Sequence, residues 1–201
     1  MAILPESYKA FRYQTGIDRI CEAYRASADT INKALAEATQ AYAQYVQAGV
    51  DDTEYDEDGV LLSSSAHTLA QAELDAILAV GVVREAFITS AFHYWERSAR
   101  AWTNLHGFEH KFPALRYATQ QQYAVSPQLP NLNRLNNVLK HNSHHVDRTL
   151  LKNRPDYFGT LFPKTNRNNP PQPRLRLSHE HVEEAFEIVR ASGPTYSAPP
   201  R

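Results

Sequence analysis

Cysteine is all but missing from this chain: Cys21 stands alone among 201 residues. An internal disulfide framework is excluded, and a reducing compartment fits. Charge excess is missing too, with 21 basic against 22 acidic residues and a net charge of -1. No chain-wide field draws the protein to nucleic acid, so any such binding has to come from a local patch or from assembly. No run approaches the ~18 consecutive apolar residues of a membrane span. The opening Met-Ala-Ile-Leu-Pro-Glu has neither the basic nor the long apolar region of a signal peptide. The reading is a cytoplasmic protein without membrane contact. Also absent are a Gly-rich phosphate loop, a Gly-x-Ser-x-Gly elbow and a Cys–His pair for nucleophilic catalysis. Much of the catalytic repertoire falls away with them, and a small cleft-type site stays open.

What is present is helical periodicity. Ile17, Cys21, Tyr24, Ala28, Ile31, Leu35, Ala38, Tyr42 and Tyr45 recur at alternating spacings of four and three, a heptad seam within residues 1–50. Gly49 ends that helix. Its tyrosines predict a seam whose edges reach water, because a buried phenol needs a partner. An antiparallel neighbour in the same fold is the first choice of partner, and a dimeric coiled coil the second. Residues 51–64 begin with an acidic run, Asp51 to Asp58, that lacks the spacing and terminal glutamate of an EF-hand; it predicts a solvated loop.

Ser63, Ser64 and Ser65 offer N-cap oxygens for a second long helix reaching about His106 and closed by Gly107. Its apolar positions, from Leu69, Leu74, Ile77, Leu78 and Val82 to Phe87, Ile88, Trp95 and Trp102, make a stripe wide enough to be buried on more than one side. Shorter helices follow: one from Phe112-Pro113 to about Tyr123, one carrying Arg134 to His141 and capped by Asn131 or Asn133, and one over 144–153 after an Asn142-Ser143 turn. Residues 159–177 are proline-rich and irregular. Ser178 caps a final amphipathic helix through Arg190, with Val182, Ala185, Phe186 and Val189 on one face and Gly193-Pro194 beyond its end. No strand is predicted. The expected fold is an all-α helical bundle built on a long antiparallel hairpin, one domain over 1–192 with a flexible tail at 193–201.

At roughly 100° per residue, Arg134 and His141 lie about 20° apart on one helix, two turns along the same face, with Asn137 between them. Leu132, Leu135 and Leu139 gather nearly opposite. A cation that keeps its charge beside a group that titrates near neutrality suits acid–base chemistry on a phosphate; a solvated helix face is the plainer reading. His141, His144 and His145 lack further ligands nearby in sequence, and His179 and His181 would have to join them by long-range folding, so no metal or other cofactor is expected. On the second long helix, Glu96 and Arg100 form an i, i+4 pair that is either structural or a second wall of the Arg134–His141 site.

The run Asn137-Val138-Leu139-Lys140-His141, followed by a polar turn, a leucine-bearing helix and Arg154-Pro155-Asp156-Tyr157-Phe158, resembles bacterial HEPN-like proteins over roughly residues 65–192. Those are helical-bundle proteins of toxin–antitoxin and antiviral systems. Their hallmark is an arginine, four to six intervening residues and a histidine. Arg134 and His141 meet the outer limit of that spacing, with Leu135 after the arginine and Asn136 where a shorter spacing would put it. The resemblance implies a homodimer whose motif helices share one cleft. It also implies metal-independent cleavage of single-stranded RNA by Arg134 and His141, with Asn136, Asn137, Lys140 and Glu96 in support, and an antitoxin protein as a further partner. Two other classes stay open: a non-catalytic helical module that binds nucleotide or RNA or docks a partner, and a purely structural coiled-coil dimer.

Overall fold

The computed structural model describes residues 5–105, 107, 111–141, 147–159 and 174–196. Pro5 starts the chain into α1 (Glu6–Ala48), its carbonyl accepting the backbone N–H groups of Tyr8 and Lys9. Gly49 ends the helix in the left-handed region at φ 62°, a conformation that suits glycine. A β-ladder pairs β1 (Glu54–Tyr55) with β2 (Leu61–Ser63), and then α2 runs over Ser65–Thr103. The shorter helices are α3 (Phe112–Gln120), α4 (Leu129–His141), α5 (Arg148–Asn153) and α6 (His179–Arg190). A single 3₁₀ turn at Pro155–Tyr157 follows α5 and leads into β3 (Phe158–Gly159), which pairs antiparallel with β4 (Arg174–Leu175). The architecture is all-α, a bundle built on a long helical hairpin.

Contacts group the chain into two compact units. The first comprises Met1–Ala23 with Arg84–Arg201, the second Tyr24–Val83. In the first unit the seam of α1 is buried as its spacing predicts, through Ala10, Tyr13, Ile17 and Cys21. Tyr13 stacks on Tyr94 of α2, with ring centroids 5.5 Å apart. The close approach depends on Gly16, where an added Cβ would come within 2.0 Å of the Tyr94 hydroxyl. The core adds Ile88, Ala91 and Trp95 from α2, Leu115 from α3, Leu129, Leu132 and Leu135 from α4, Leu150 from α5 and the Val182, Ala185, Phe186, Val189 face of α6.

The carboxyl end of α6 is the hub of this unit. A helix leaves its last carbonyls without intrahelical partners, and here side chains from α1 and α2 supply donors. The Tyr13 hydroxyl donates to the Val189 carbonyl at 2.6 Å, the Trp95 indole to Ser192 at 2.8 Å and the Gln14 amide to Pro194 at 2.8 Å. The tail expected from residue 193 therefore remains packed through Pro194: Gly193 and Pro194 are buried, and a Cβ on Gly193 would meet both Trp102 and Tyr13 at 2.6 Å. Residues 197–201 lie outside the described residues.

The second unit is thinly covered. Tyr24 and Ala28 are buried, while Ile31, Leu35, Ala38, Tyr42 and Tyr45 are half-buried. The wide apolar stripe of α2 is not enclosed on several sides here. Leu74, Ile77, Leu78 and Val82 are each 47–64% exposed, because within this unit only the other half of the hairpin and one short ladder are available to pack on them. The acidic run is not a plain loop either. The Asp56 carboxylate accepts the N–H groups of Asp58 and Val60 at 2.9 and 2.7 Å, Gly59 turns at φ 78°, and β1 and β2 pair across the turn. One oxygen of Asp52 accepts both the Tyr45 hydroxyl at 2.6 Å and the Ser65 N–H at 3.2 Å, joining the end of α1 to the start of α2.

Four helix limits differ from the sequence reading, the first being that the helix expected over 144–153 starts at Arg148, because Asp147 is extended and caps it. The second long helix stops at Thr103 rather than near His106, because Asn104 takes the left-handed conformation at φ 56°. The helix starting at Phe112 ends at Gln120, short of Tyr123. α4 begins at Leu129, two residues before Asn131, so neither Asn131 nor Asn133 caps it. Pro130 falls in its first turn, where a missing N–H costs nothing. The residues 142–146, with the expected turn and His144 and His145, lie outside the described residues, as do 160–173.

Candidate functional site

On α4 the leucine face is inside and the polar face outside. Leu132 and Leu135 are fully buried, Leu139 is half-buried, and Asn137, Lys140 and His141 are exposed. Lys140 and His141 close the helix, where cations complement the negative end of its dipole. Arg134 keeps 43% of its side chain exposed and donates to Asp147 at 2.9 Å. Asp147 was not among the residues singled out from sequence, although an Asp three residues before Leu150 is an N-cap signal. One of its oxygens holds Arg134, and the other accepts the N–H groups of Thr149 and Leu150 at 2.9 and 3.0 Å, capping α5. Burial raises the Asp147 carboxyl, but the Leu150 N–H and the Arg134 guanidinium outweigh it and hold it below its ordinary value. Arg134 is thereby fixed in place, and much of its charge is compensated locally.

The structure does not join the remaining supporting residues to this pair. Asn136 points inward: it is 1% exposed, and neither its amide nitrogen nor its amide oxygen has a partner among the described residues. Glu96 is occupied on α2, accepting from Arg100 at 3.0 Å and lying 3.3 Å from Nδ1 of His93. Burial raises the Glu96 carboxyl, and hydrogen bonds from Arg100 and His93 more than offset this and lower it. Arg100 continues to the carbonyls of Leu105 and Gly107 at 3.3 and 3.1 Å, so the expected Glu96–Arg100 pair is a strut that fastens the chain after α2. Among the described residues no hydrogen bond or ion pair links Glu96 to Arg134 or His141.

The Arg154-Pro155-Asp156-Tyr157 segment forms a second polar cluster. Arg154, with 12% of its side chain exposed, donates to both carboxylate oxygens of Glu184, to Asp156 at 2.7 Å, and lies 3.9 Å over the Tyr157 ring. Burial acts to lower the Arg154 pKa, and its bonds to Asp156 and Glu184 raise it well past that penalty. His181 completes the cluster. Its Nδ1 accepts the Ser178 N–H at 3.0 Å, which leaves the proton on Nε2, facing Asp156 at 3.3 Å. The Ser178-x-x-His181 spacing was the sequence signal for this capping box, with histidine in the place usually held by glutamate. His181 is thereby engaged in a structural role. No group of three potential metal ligands is assembled among the described residues. No helix in them is long and apolar enough to cross a membrane.

The arrangement on α4 can offer a fixed guanidinium and, two turns away at a rise of roughly 10 Å, an exposed imidazole. Both lie on a face that a phosphodiester backbone can reach. Set against known protein families, curated proteins and solved structures, the chain matches none.

Proposed function

We propose that this chain is a HEPN-like, metal-independent endoribonuclease of a toxin–antitoxin or phage-defence system, acting on single-stranded RNA. The observation that carries the reading is the outward face of α4, where Arg134 is braced by Asp147 two turns before the exposed His141. In the proposed reaction the RNA 2′-hydroxyl loses its proton and attacks the adjacent phosphorus. The bond to the 5′-oxygen breaks and takes up a proton, leaving a 2′,3′-cyclic phosphate and a free 5′-hydroxyl. His141 moves the proton and Arg134 stabilises charge on the pentacoordinate phosphate. The rise between the two residues exceeds the reach of one phosphate, so a homodimer with two α4 helices lining one cleft is part of the proposal. Asn137 and Lys140 would orient the RNA backbone. A cytoplasmic location and an antitoxin partner belong to the same reading.

A second reading is favoured by one specific contact. Asp147 compensates Arg134 in the free protein, which suits a module that binds nucleotide or RNA without cutting it. Incubating the full chain with end-labelled single-stranded RNA in EDTA separates the two. Fragments ending in a cyclic phosphate, lost in His141→Ala with the fold retained, support cleavage. Saturable binding with no products supports the binding module, and unchanged cleavage by His141→Ala removes His141 from the mechanism.

A further inference from the structure

A groove of about 360 Å³ lies between the first half of α1 and the second half of α2, inside the first unit and built from residues the α4 reading does not use. Lys9, Arg12, Tyr13, Tyr94, Ser98 and Trp102 bound it. On α1, residues 9, 12, 16 and 19 recur at spacings of three and four, which puts Lys9, Arg12 and Arg19 along one face with Gly16 between them. On α2, Arg97 stands one turn after Tyr94. Arg12, Arg19 and Arg97 are exposed, and none has an acidic partner among the described residues. Of the nearby acids, Glu6 pairs with Lys9 at the groove edge at 2.6 Å, and Asp18 is committed to Arg190 at 2.7 Å. In a chain of net charge -1 that pairs Arg100, Arg134, Arg154 and Arg190 with carboxylates, the uncompensated Arg12 on the groove wall, with Arg19 and Arg97 nearby on the same two helices, makes a local positive field.

The floor of the groove is aromatic and held in place. The Tyr94 hydroxyl lies 3.1 Å from the carbonyls of Arg12 and Tyr13, and shares its proton between them. The half-buried Trp102 indole is braced edge-on by Tyr13 at 4.8 Å and Tyr123 at 5.2 Å between centroids. Burial raises the Tyr94 phenol, and a hydrogen bond with Ser98 and the charges of Arg12, Arg97 and Arg19 act against that rise. A rigid aromatic surface beside the unpaired Arg12 guanidinium is the chemistry that receives a base and its phosphate. The volume sits at the low end of the roughly 300–1,000 Å³ of small-ligand sites, the size for one such unit.

We propose that this groove binds a single nucleoside monophosphate unit, its base against Trp102 and its phosphate between Arg12 and Arg97. The unit is either a free nucleotide or one residue of a single-stranded nucleic acid, and neither source requires Arg134 or His141. The test is titration of the full chain with AMP, with ribose 5-phosphate and with a short single-stranded oligoribonucleotide. It is read by tryptophan fluorescence, which reports Trp102 because Trp95 is sealed in the core, and by equilibrium dialysis. Saturable quenching by AMP or by the oligomer is expected, weakening with added salt and by at least about tenfold in the Arg12→Gln, Arg97→Gln double variant, both exposed positions. Ribose 5-phosphate should bind at least about tenfold more weakly than AMP. Tighter binding of AMP identifies a free nucleotide, and tighter binding of the oligomer identifies nucleic acid. No saturable binding of either at millimolar concentration, equal binding by the double variant, or equal binding of ribose 5-phosphate overturns the proposal. AMP carries no phosphodiester for the α4 reaction to cleave, so AMP binding reads the groove alone and cyclic-phosphate fragments from RNA read α4 alone; failure here and failure of the α4 reading are told apart.

Discussion

The Ser192 carbonyl offers a sharp test of how α6 is held. It accepts the Trp95 indole at 2.8 Å, and the Tyr13 hydroxyl lies 3.4 Å away while making its short 2.6 Å bond to Val189. Tyr13→Phe removes that hydroxyl from a site 2% exposed. Val189 keeps the Ser192 N–H at 2.9 Å, so no buried acceptor is orphaned and the cost should be about 1 kcal/mol. Trp95→Phe deletes the indole donor and part of a fully buried ring, costing about 2–3 kcal/mol. With the indole gone, the Tyr13 hydroxyl is the donor left within reach of Ser192 and can turn toward it. Removing both should therefore exceed the sum of the single costs by about 0.5–1 kcal/mol. Urea unfolding of the four proteins, followed by circular dichroism, measures the cycle. Additivity within about 0.3 kcal/mol would refute the shared-acceptor argument.

Three further outcomes follow from single sites. Gly16→Ala must push the Tyr94 ring off α1, since its Cβ would meet the hydroxyl at 2.0 Å and ring carbons at 2.4–2.8 Å; a loss of about 2–3 kcal/mol in urea unfolding is expected, and a neutral result would contradict the packing. Glu96 has a lowered folded pKa, so its contribution is present above its ordinary value near 4.5 and disappears as pH falls through the folded value. Glu96→Gln should thus cost about 1 kcal/mol at about pH 7, and the gap to the parent protein should close in thermal melts as the carboxylate is protonated in acid, below its ordinary range. Asn136→Leu should stabilise by about 1–2 kcal/mol, because both amide atoms are buried without partners among the described residues; a loss of stability in urea unfolding would refute this.

The parts of the fold that were legible from sequence are those where one period runs long enough to average out local exceptions. The α1 seam from Ile17 to Tyr45 and the α6 stripe of Val182, Ala185, Phe186 and Val189 fall on the inner faces, and Gly49 and Ser178 delimit helices as their chemistry suggests. The β1–β2 and β3–β4 ladders escaped because strands of two or three residues carry no alternation to detect. Asn104 displaced Gly107 as the stop of α2 because asparagine also tolerates positive φ, and spacing alone does not choose between them. At the candidate site, the faces of Arg134, Asn137 and His141 on α4 follow from helix geometry. Partners are harder: Glu184 on Arg154 arises from tertiary placement and Asp147 on Arg134 from a short-range cap outweighed by longer patterns, while His93 on Glu96 is an i, i+3 helix pair that the spacing held but the reading passed over. Asn136 shows the same limit, an amide adjacent to Leu135 that shares the buried side of its helix.

The knot of donors around the end of α6 also constrains how the protein is made. Tyr13, Gln14 and Trp95 find their acceptors 97 to 180 residues further along the chain. During synthesis α1 and α2 emerge long before those carbonyls exist, and they must wait with apolar faces open to solvent. Closure of the first unit is then a late event, gated by arrival of the segment through Pro194 at the tunnel exit, and the interval before it is when a nascent chain most needs shielding by a chaperone.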